Sequence, residues 1–250
     1  MLAGKRIPDV SMEMTMTSQT TPSTWALRIH SVCDWIWWAM VMNALWLLFT
    51  AAGGIVLGAA PATVAATELT RRRLRDEKTS TLREFAAAWR REFWRANGIL
   101  AAPLLVSTLL ALQLISVVTS DTLTTPLGIT VAVATAIALV ITTLIAPLYA
   151  HYELPLSAYL PTASRWMTRN IAHALLLCVA ATGVTSASLA LPGLIPFVSI
   201  GAWLSISTAL CVGFFTANDR MLRDEKVPPT PVGPSAKPTA VLSGRSRRDV

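Results

Sequence analysis

Thirty-three consecutive residues, Trp35 to Thr67, carry no charge, and the stretch is bounded by Asp34 and Glu68. Drawn out as one straight helix it would be about 50 Å long, against about 30 Å of bilayer hydrocarbon. A single membrane span cannot use it all, so the chain must turn inside it. Two breaks are available, Gly53-Gly54 and Gly58-Ala59-Ala60-Pro61. The first span is therefore expected at about 33–53, with Trp35, Trp37 and Trp38 opening it as an interfacial aromatic belt. The second piece, about 55–70, has two readings: a short return span, or a re-entrant segment beside the membrane.

Composition agrees with a bilayer as solvent for much of the chain. Only 14% of the 250 residues are charged and 53% are hydrophobic, where an ordinary globular domain is about a quarter charged. Further apolar runs mark spans at 98–119, 127–149, 171–190 and about 195–217, the last two separated by the turn signal Leu191-Pro192-Gly193. The expected fold is all-α, a polytopic transmembrane helical bundle of five to six spans with one amphipathic cytoplasmic helix. It divides the chain into an N-terminal polar tail (1–32), a transmembrane helical domain (33–217) and a disordered Pro-rich basic tail (218–250). Lys5 and Arg6 are not followed by an apolar run, so residues 1–22 do not read as a signal peptide. Met12, Met14 and Met16 leave a later start open.

The amphipathic helix is expected over 81–97. Thr81-x-x-Glu84 fits a capping box, and Leu82, Phe85, Trp89 and Phe93 make one apolar stripe flanked by Arg83, Arg90, Arg91 and Arg95. Such a helix either lies in the headgroup region or packs on neighbouring cytoplasmic loops. Lys and Arg number 3 before the first span, 9 in 71–97, 2 in 151–170 and 7 after 217, which accounts for all 21. The loops at 120–126 and 191–194 have none. The positive-inside rule then places 71–97, 151–170 and the C-terminus in the cytoplasm and favours six spans. It also explains the net charge of +7 without nucleic acid.

Ionisable groups inside spans are costly and mark functional sites by default, and few are present. His173, near the start of the 171–190 span, reads as bonded to a neighbouring helix, and His151 with Glu153 as a clamp to Arg165 or Arg169. Asp34 reads as facing a helix N-terminus. Cys33, Cys178 and Cys211 lack metal or disulfide spacing and read as small buried hydrophobes. No HExxH, GxSxG or Walker A motif occurs. The expectation is therefore a protein without catalytic, cofactor-binding or metal residues, and not an enzyme. Asn43, the one amide deep in the first span, reads as bonded to another helix. Gly58 and Pro61 read as a place needing backbone freedom.

Asn43-Ala44-Leu45-Trp46, then Leu57-Gly58-Ala59-Ala60-Pro61-Ala62-Thr63, then Arg90-Arg91-Glu92-Phe93-Trp94-Arg95-Ala96-Asn97 follow one another in an order that resembles the YesL-like family of bacterial integral membrane proteins, a domain of unknown function. Pro147-Leu148-Tyr149-Ala150-His151-Tyr152 and Asn170-Ile171-Ala172 extend the similarity, which covers about 33–215. The resemblance marks Asn43, Trp46, Gly58, Pro61, Arg90, Arg91, Trp94, Asn97 and Pro147 as structural or interaction residues. It implies a multi-pass protein of the bacterial cytoplasmic membrane whose relatives are often encoded beside sugar-uptake transporters. Permease subunits of a sugar transporter are the expected partners, in an accessory role. A small-solute transporter or channel in its own right is the other reading.

Overall fold

A computed structural model of the chain describes residues 24–77 and 80–226, and these are helical throughout apart from turns. Seven α-helices follow one another: α1 (Thr24–Ala52), α2 (Val56–Arg73), α3 (Thr81–Thr119), α4 (Pro126–His151), α5 (Tyr159–Arg169), α6 (Ile171–Ala190) and α7 (Ile200–Lys226). A 3-10 turn, Leu156–Ala158, leads into α5, and a π-helical turn, Ile195–Ser199, leads into α7. Five helices, all but α2 and α5, are long and apolar enough to cross a membrane. The readings of residues 1–22 and of the Pro-rich tail from 227 onward lie outside the described residues.

α1 and α2 form an antiparallel hairpin. Asp34 pairs with Arg73, the Trp38 indole N–H donates to Thr70 Oγ1 at 3.3 Å, and Trp46 Nε1 donates to Thr63 Oγ1 at 3.0 Å. The turn is Gly53-Gly54-Ile55, with Gly54 at φ 76°. α2 thus returns along α1 until Arg73 is level with Asp34, the geometry of a return helix. The second expected break is absent, because α2 runs through Gly58 and Pro61 without interruption. A proline withholds its N–H from the carbonyl four residues back, here that of Leu57. Asn97 of α3 supplies the missing donor, its Nδ2 lying 2.9 Å from Leu57 O.

α3 is longer than expected. The basic segment 81–97 is no separate surface helix but the first half of a helix that continues to Thr119. The change from polar to apolar residues near 98 marks a change of surroundings, and no helix stop stands there. The first half lies antiparallel to α2, through Arg72–Glu84, Arg91–Glu68 and Asn97–Leu57 contacts. Its stripe faces protein: Phe85 is fully buried, and the rings of Phe85 and Trp89 both pack at a tilt against Phe49 of α1. Of the stripe, Leu82 alone is largely exposed. The cap is displaced by one residue, with Ser80 as N-cap and its N–H donating to Glu84 Oε1 at 3.0 Å.

Several boundaries also shift. α1 begins at Thr24 and α7 ends at Lys226, so the expected divisions at 32/33 and 217/218 fall inside helices. Residues 218–226 contain no helix breaker before Pro228, and Asp219 is anchored by His151 (3.0 Å) and Tyr152 (2.9 Å). Asp219, and neither Arg165 nor Arg169, is therefore the partner of His151. Asp34, inside α1, is held by Arg73 and does not face a helix N-terminus. Only Trp37 of the three expected belt tryptophans points outward, while Arg73 sits over the rings of Trp35 and Trp38 at 5.3 and 4.5 Å. Cys211 is buried and Cys178 half-buried, but Cys33 is exposed.

α2 is the centre of the packing. From Gly58 to Thr70 every residue is buried except the partly exposed Ala59 and Glu68. Ala60 and Val64 join a cluster with Leu100, Leu144 and Leu148, while Ala62, Ala65, Ala66 and Leu69 join another with Trp38, Met42 and Phe85. Such small side chains let helix backbones approach closely. A Cβ on Gly58 would lie 2.3 Å from Thr50 O, and one on Gly201 would lie 1.9 Å from Ala39 O. Outside this core, Leu105, Leu109, Leu112, Ile129, Val133 and Val179 present the outward apolar surface a lipid environment requires.

Asn43 is the pin between α1 and α7. Its Nδ2 donates to Pro196 O at 2.6 Å, and its Oδ1 accepts from the N–H groups of Ile200 and Gly201 at 3.0 and 3.1 Å. Asn43→Leu leaves those buried groups unpaired and is expected to destabilise the protein by about 1–3 kcal/mol. Gly201→Ala should lower stability too, by wedging α1 from α7. Thermal unfolding of detergent-purified variants checks both; midpoints equal to wild type would refute the packing described.

Candidate functional site: an arginine and tyrosine cleft

The run Leu148–Pro161 ends α4, forms the link to α5 and enters its first turn, and it contains all three tyrosines of the chain, Tyr149, Tyr152 and Tyr159. Each has a fixed role. Tyr159, 2% exposed, donates to Tyr152 O at 2.9 Å and accepts from Leu154 N at 3.0 Å, pinning the link. The Tyr149 hydroxyl donates to Glu92 of α3. Tyr152 donates to Asp219 of α7. The link is thereby held beside the C-terminal end of α2 and the N-terminal half of α3, where the arginines lie.

The result is an open cleft of about 540 Å³, with Arg71, Arg72, Arg75, Arg91, Arg95 and the three tyrosines in its wall. Glu68, Glu77, Glu92 and Glu153 line it as well. Two arginines are spent on structure. Arg72 bridges Glu68 (2.5 Å) and Glu84 (3.3 Å), and Arg91 bridges Glu68 and Glu92, both at 2.7 Å. Arg71, Arg75 and Arg95 make no ion pair among the described residues. Val64 closes the floor, backed by Leu100, Leu144 and Leu148.

The residues singled out by sequence do not converge here. Only Arg91 lines the cleft. Arg90 and Trp94 point outward from α3, Trp94 being 78% exposed. Asn43, Trp46, Gly58, Pro61 and Asn97 are helix-packing residues. Pro147, buried in α4, borders with Trp46 a separate recess of about 350 Å³ among α2, α3, α4 and α7. His173 is also structural, stacked on Phe214 of α7 at 3.9 Å and accepting from Trp166 of α5 at 3.3 Å. Among the described residues no three His, Cys, Asp or Glu side chains are grouped to hold a metal. Sequence reasoning missed Glu92 and the tyrosines; the signal was the clustering of every tyrosine within residues 149–159.

Chemically, the cleft offers guanidinium and phenol donors, a set suited to oxyanions. Burial, then the hydrogen bond to Asp219, pushes the Tyr152 hydroxyl up from the usual 10.0 to about 12. A raised tyrosine pKa means the neutral form is favoured in the folded state. Its contribution to stability is full below pH 10 and is lost as pH rises from about 10 to about 12. Alkaline titration at 295 nm reads only cleft residues in this chain. Wild type minus Tyr152→Phe is expected to show one phenolate forming near pH 12; a difference centred at pH 10 would contradict the geometry.

Residues 39–114 match a family model described as "Protein of unknown function, DUF624". The chain is 29% identical over 174 residues to the Bacillus subtilis (strain 168) protein "Uncharacterized protein YesV", covering 68% of this chain and 82% of that one. It is 24% identical over 174 residues to "Uncharacterized protein YteU" of the same organism, covering 69% and 78%. No solved structure matches. From the middle of α1 to the last turns of α3, the part that builds the α2-centred core, the chain is similar to the DUF624 family of unknown function.

Proposed function

We propose that this is a non-catalytic protein of the bacterial cytoplasmic membrane that docks onto, and assists, the permease of a carbohydrate-uptake system. The observation that carries this reading is the outer face of α3. Arg83, Ala87, Arg90 and Trp94 recur at i, i+4, i+7 and i+11, and all four are exposed. The opposite face of the same turns is taken up by α1 and α2. Tryptophan and arginine are the residues most enriched at interface hot spots, and here they stand on a braced helix. The carbohydrate part of the reading is supported by the resemblance of Asn43–Trp46 and Leu57–Thr63 to the YesL-like family. A C-terminus in the cytoplasm is supported by the positive-inside rule, through the Lys and Arg of 71–97 and of the residues after 217.

Transport by this chain itself is the second reading. It is favoured by the recess among α2, α3, α4 and α7, whose wall carries the hydroxyls of Thr63, Thr67, Ser107, Thr142 and Ser207. The apolar floor of the arginine cleft speaks against a path between the two.

Affinity purification of the tagged protein from its own cells in mild detergent tests the docking reading. Permease subunits are expected in stoichiometric amount. Arg83→Glu, Arg90→Glu and Trp94→Ala together should reduce their recovery at least tenfold, with the elution volume and melting temperature of the purified protein unchanged. Recovery of the chain alone, together with solute flux in liposomes holding only this protein, would replace docking by transport.

A further inference from the structure

The cleft contains a buried donor with nothing to bond. Arg71 Nε is shielded from solvent and has no hydrogen-bond partner among the described residues, and Arg71 is one of the residues that line the cleft. Buried polar groups in folded proteins almost always find partners, so an unpaired guanidinium N–H beside a cavity marks where an acceptor belongs. Arg75, four residues on, is a second cation whose charge acts on Arg71. The two like charges repel, Glu68 and Glu77 act on Arg71 in the opposite sense, and an anion between the two arginines would add to that relief. Arg95 adds a third from α3.

Charge accounting within the cleft points the same way. Glu68 is saturated by Arg72 and Arg91, and Glu92 by Arg91 and Tyr149. Glu77 and Glu153 remain against Arg71, Arg75 and Arg95, so the unpaired set carries an excess of one positive charge. Clefts of about 300–1,000 Å³ hold small ligands, and 540 Å³ falls in that range. Guanidinium groups engage phosphate oxygens through paired N–H donors.

We infer that this cleft is a binding site for a phosphate group, held by Arg71, Arg75 and Arg95. The phosphate belongs either to a small soluble ester or to the headgroup of an anionic phospholipid reaching in from the bilayer beside α3. The inference stands apart from docking through Trp94, because the three arginines line the cleft and the docking stripe faces away from α2.

The test uses the full chain in two settings. In detergent, calorimetric titration with inorganic phosphate and with glycerol 3-phosphate reads the soluble arm. In nanodiscs of phosphatidylcholine with or without phosphatidylglycerol, the anionic lipid retained per protein and the gain in melting temperature read the lipid arm. Arg71→Gln, Arg75→Gln and Arg95→Gln are compared with wild type and with Arg169→Gln, an exposed arginine of α5 outside the cleft. Binding or lipid retention in either arm that falls at least tenfold with Arg71→Gln, and less than twofold with Arg169→Gln, supports the site. The arm that responds identifies the source. Should Arg71→Gln fail to fold, Arg75→Gln combined with Arg95→Gln carries the comparison. No phosphate dependence in either arm, or equal losses with Arg169→Gln, overturns the inference.

Discussion

A helix that runs through a proline loses one rung of its own hydrogen-bond ladder, and the freed carbonyl takes a donor from a neighbour. α2 meets this constraint at Pro61, which leaves the Leu57 carbonyl without its internal donor. The Asn97 side chain fills that place. Asn97 also donates to Phe93 O at 2.8 Å, so its amide is tied to α3 as well as to α2. This one amide fixes how far α3 has advanced along α2. The register it sets is the one that aligns Arg91 with Glu68 and Arg72 with Glu84. A shift of one helical turn, about 5.4 Å, would move every one of these partners out of reach.

The smallness of α2 is the other half of the same constraint. Glycine, alanine and threonine give it little hydrophobic surface, so its place at the centre rests on close approach more than on large apolar side chains. Gly58 admits the backbone of α1, and the hydroxyls of Thr63 and Thr67 fold back onto Ala59 O and Thr63 O at 2.8 and 2.9 Å. Thr63 and Thr70 also receive the indole N–H groups of Trp46 and Trp38. The hairpin is therefore joined at both ends by tryptophan–threonine bonds, and Asp34–Arg73 closes it. Arginines at the last turn of α2 are favoured by the helix dipole, which is why the polar cleft begins where the buried part of α2 stops.

Sequence revealed most of the architecture and little of the site. The charge-free stretch, the loop asymmetry in Lys and Arg and the apolar runs were enough for the helical bundle and for a return along α1. Periodicity could not tell the basic 81–97 segment from a surface helix, because a stripe of Leu82, Phe85, Trp89 and Phe93 suits lipid headgroups and a neighbouring helix equally. Pro61 read as a break because proline costs a helix its hydrogen bond, and the compensating donor lies 36 positions later in the chain. Gly201 carried no local sign at all; its need for a missing side chain comes from Ala39, on another helix. The cleft was hidden for the same reason. Its arginines come from α2, the turn after it and α3, its tyrosines from the end of α4, the link after it and the first residue of α5, and only the fold brings them together.

The proposed docking face and the arginine cleft share two turns of α3. Successive residues of a helix stand about 100° apart, so Arg91 and Arg95 form one row along it and Arg90 and Trp94 form the next. The first row lines the cleft and the second faces outward. Between them the helix is fixed on its inner side by Ala88, Glu92 and Ala96, all buried. A ligand bound by Arg95 and a partner bound by Trp94 would thus touch adjacent residues of one rigid segment. Neither could shift that segment without disturbing Glu92, which holds Arg91 on one side and Tyr149 on the other. Through Tyr149, Glu92 ties this part of α3 to the end of α4, so the row that lines the cleft is held from both helices, while the outer row is backed only by the packing of Trp94 on Phe93 and of Phe93 on Trp89.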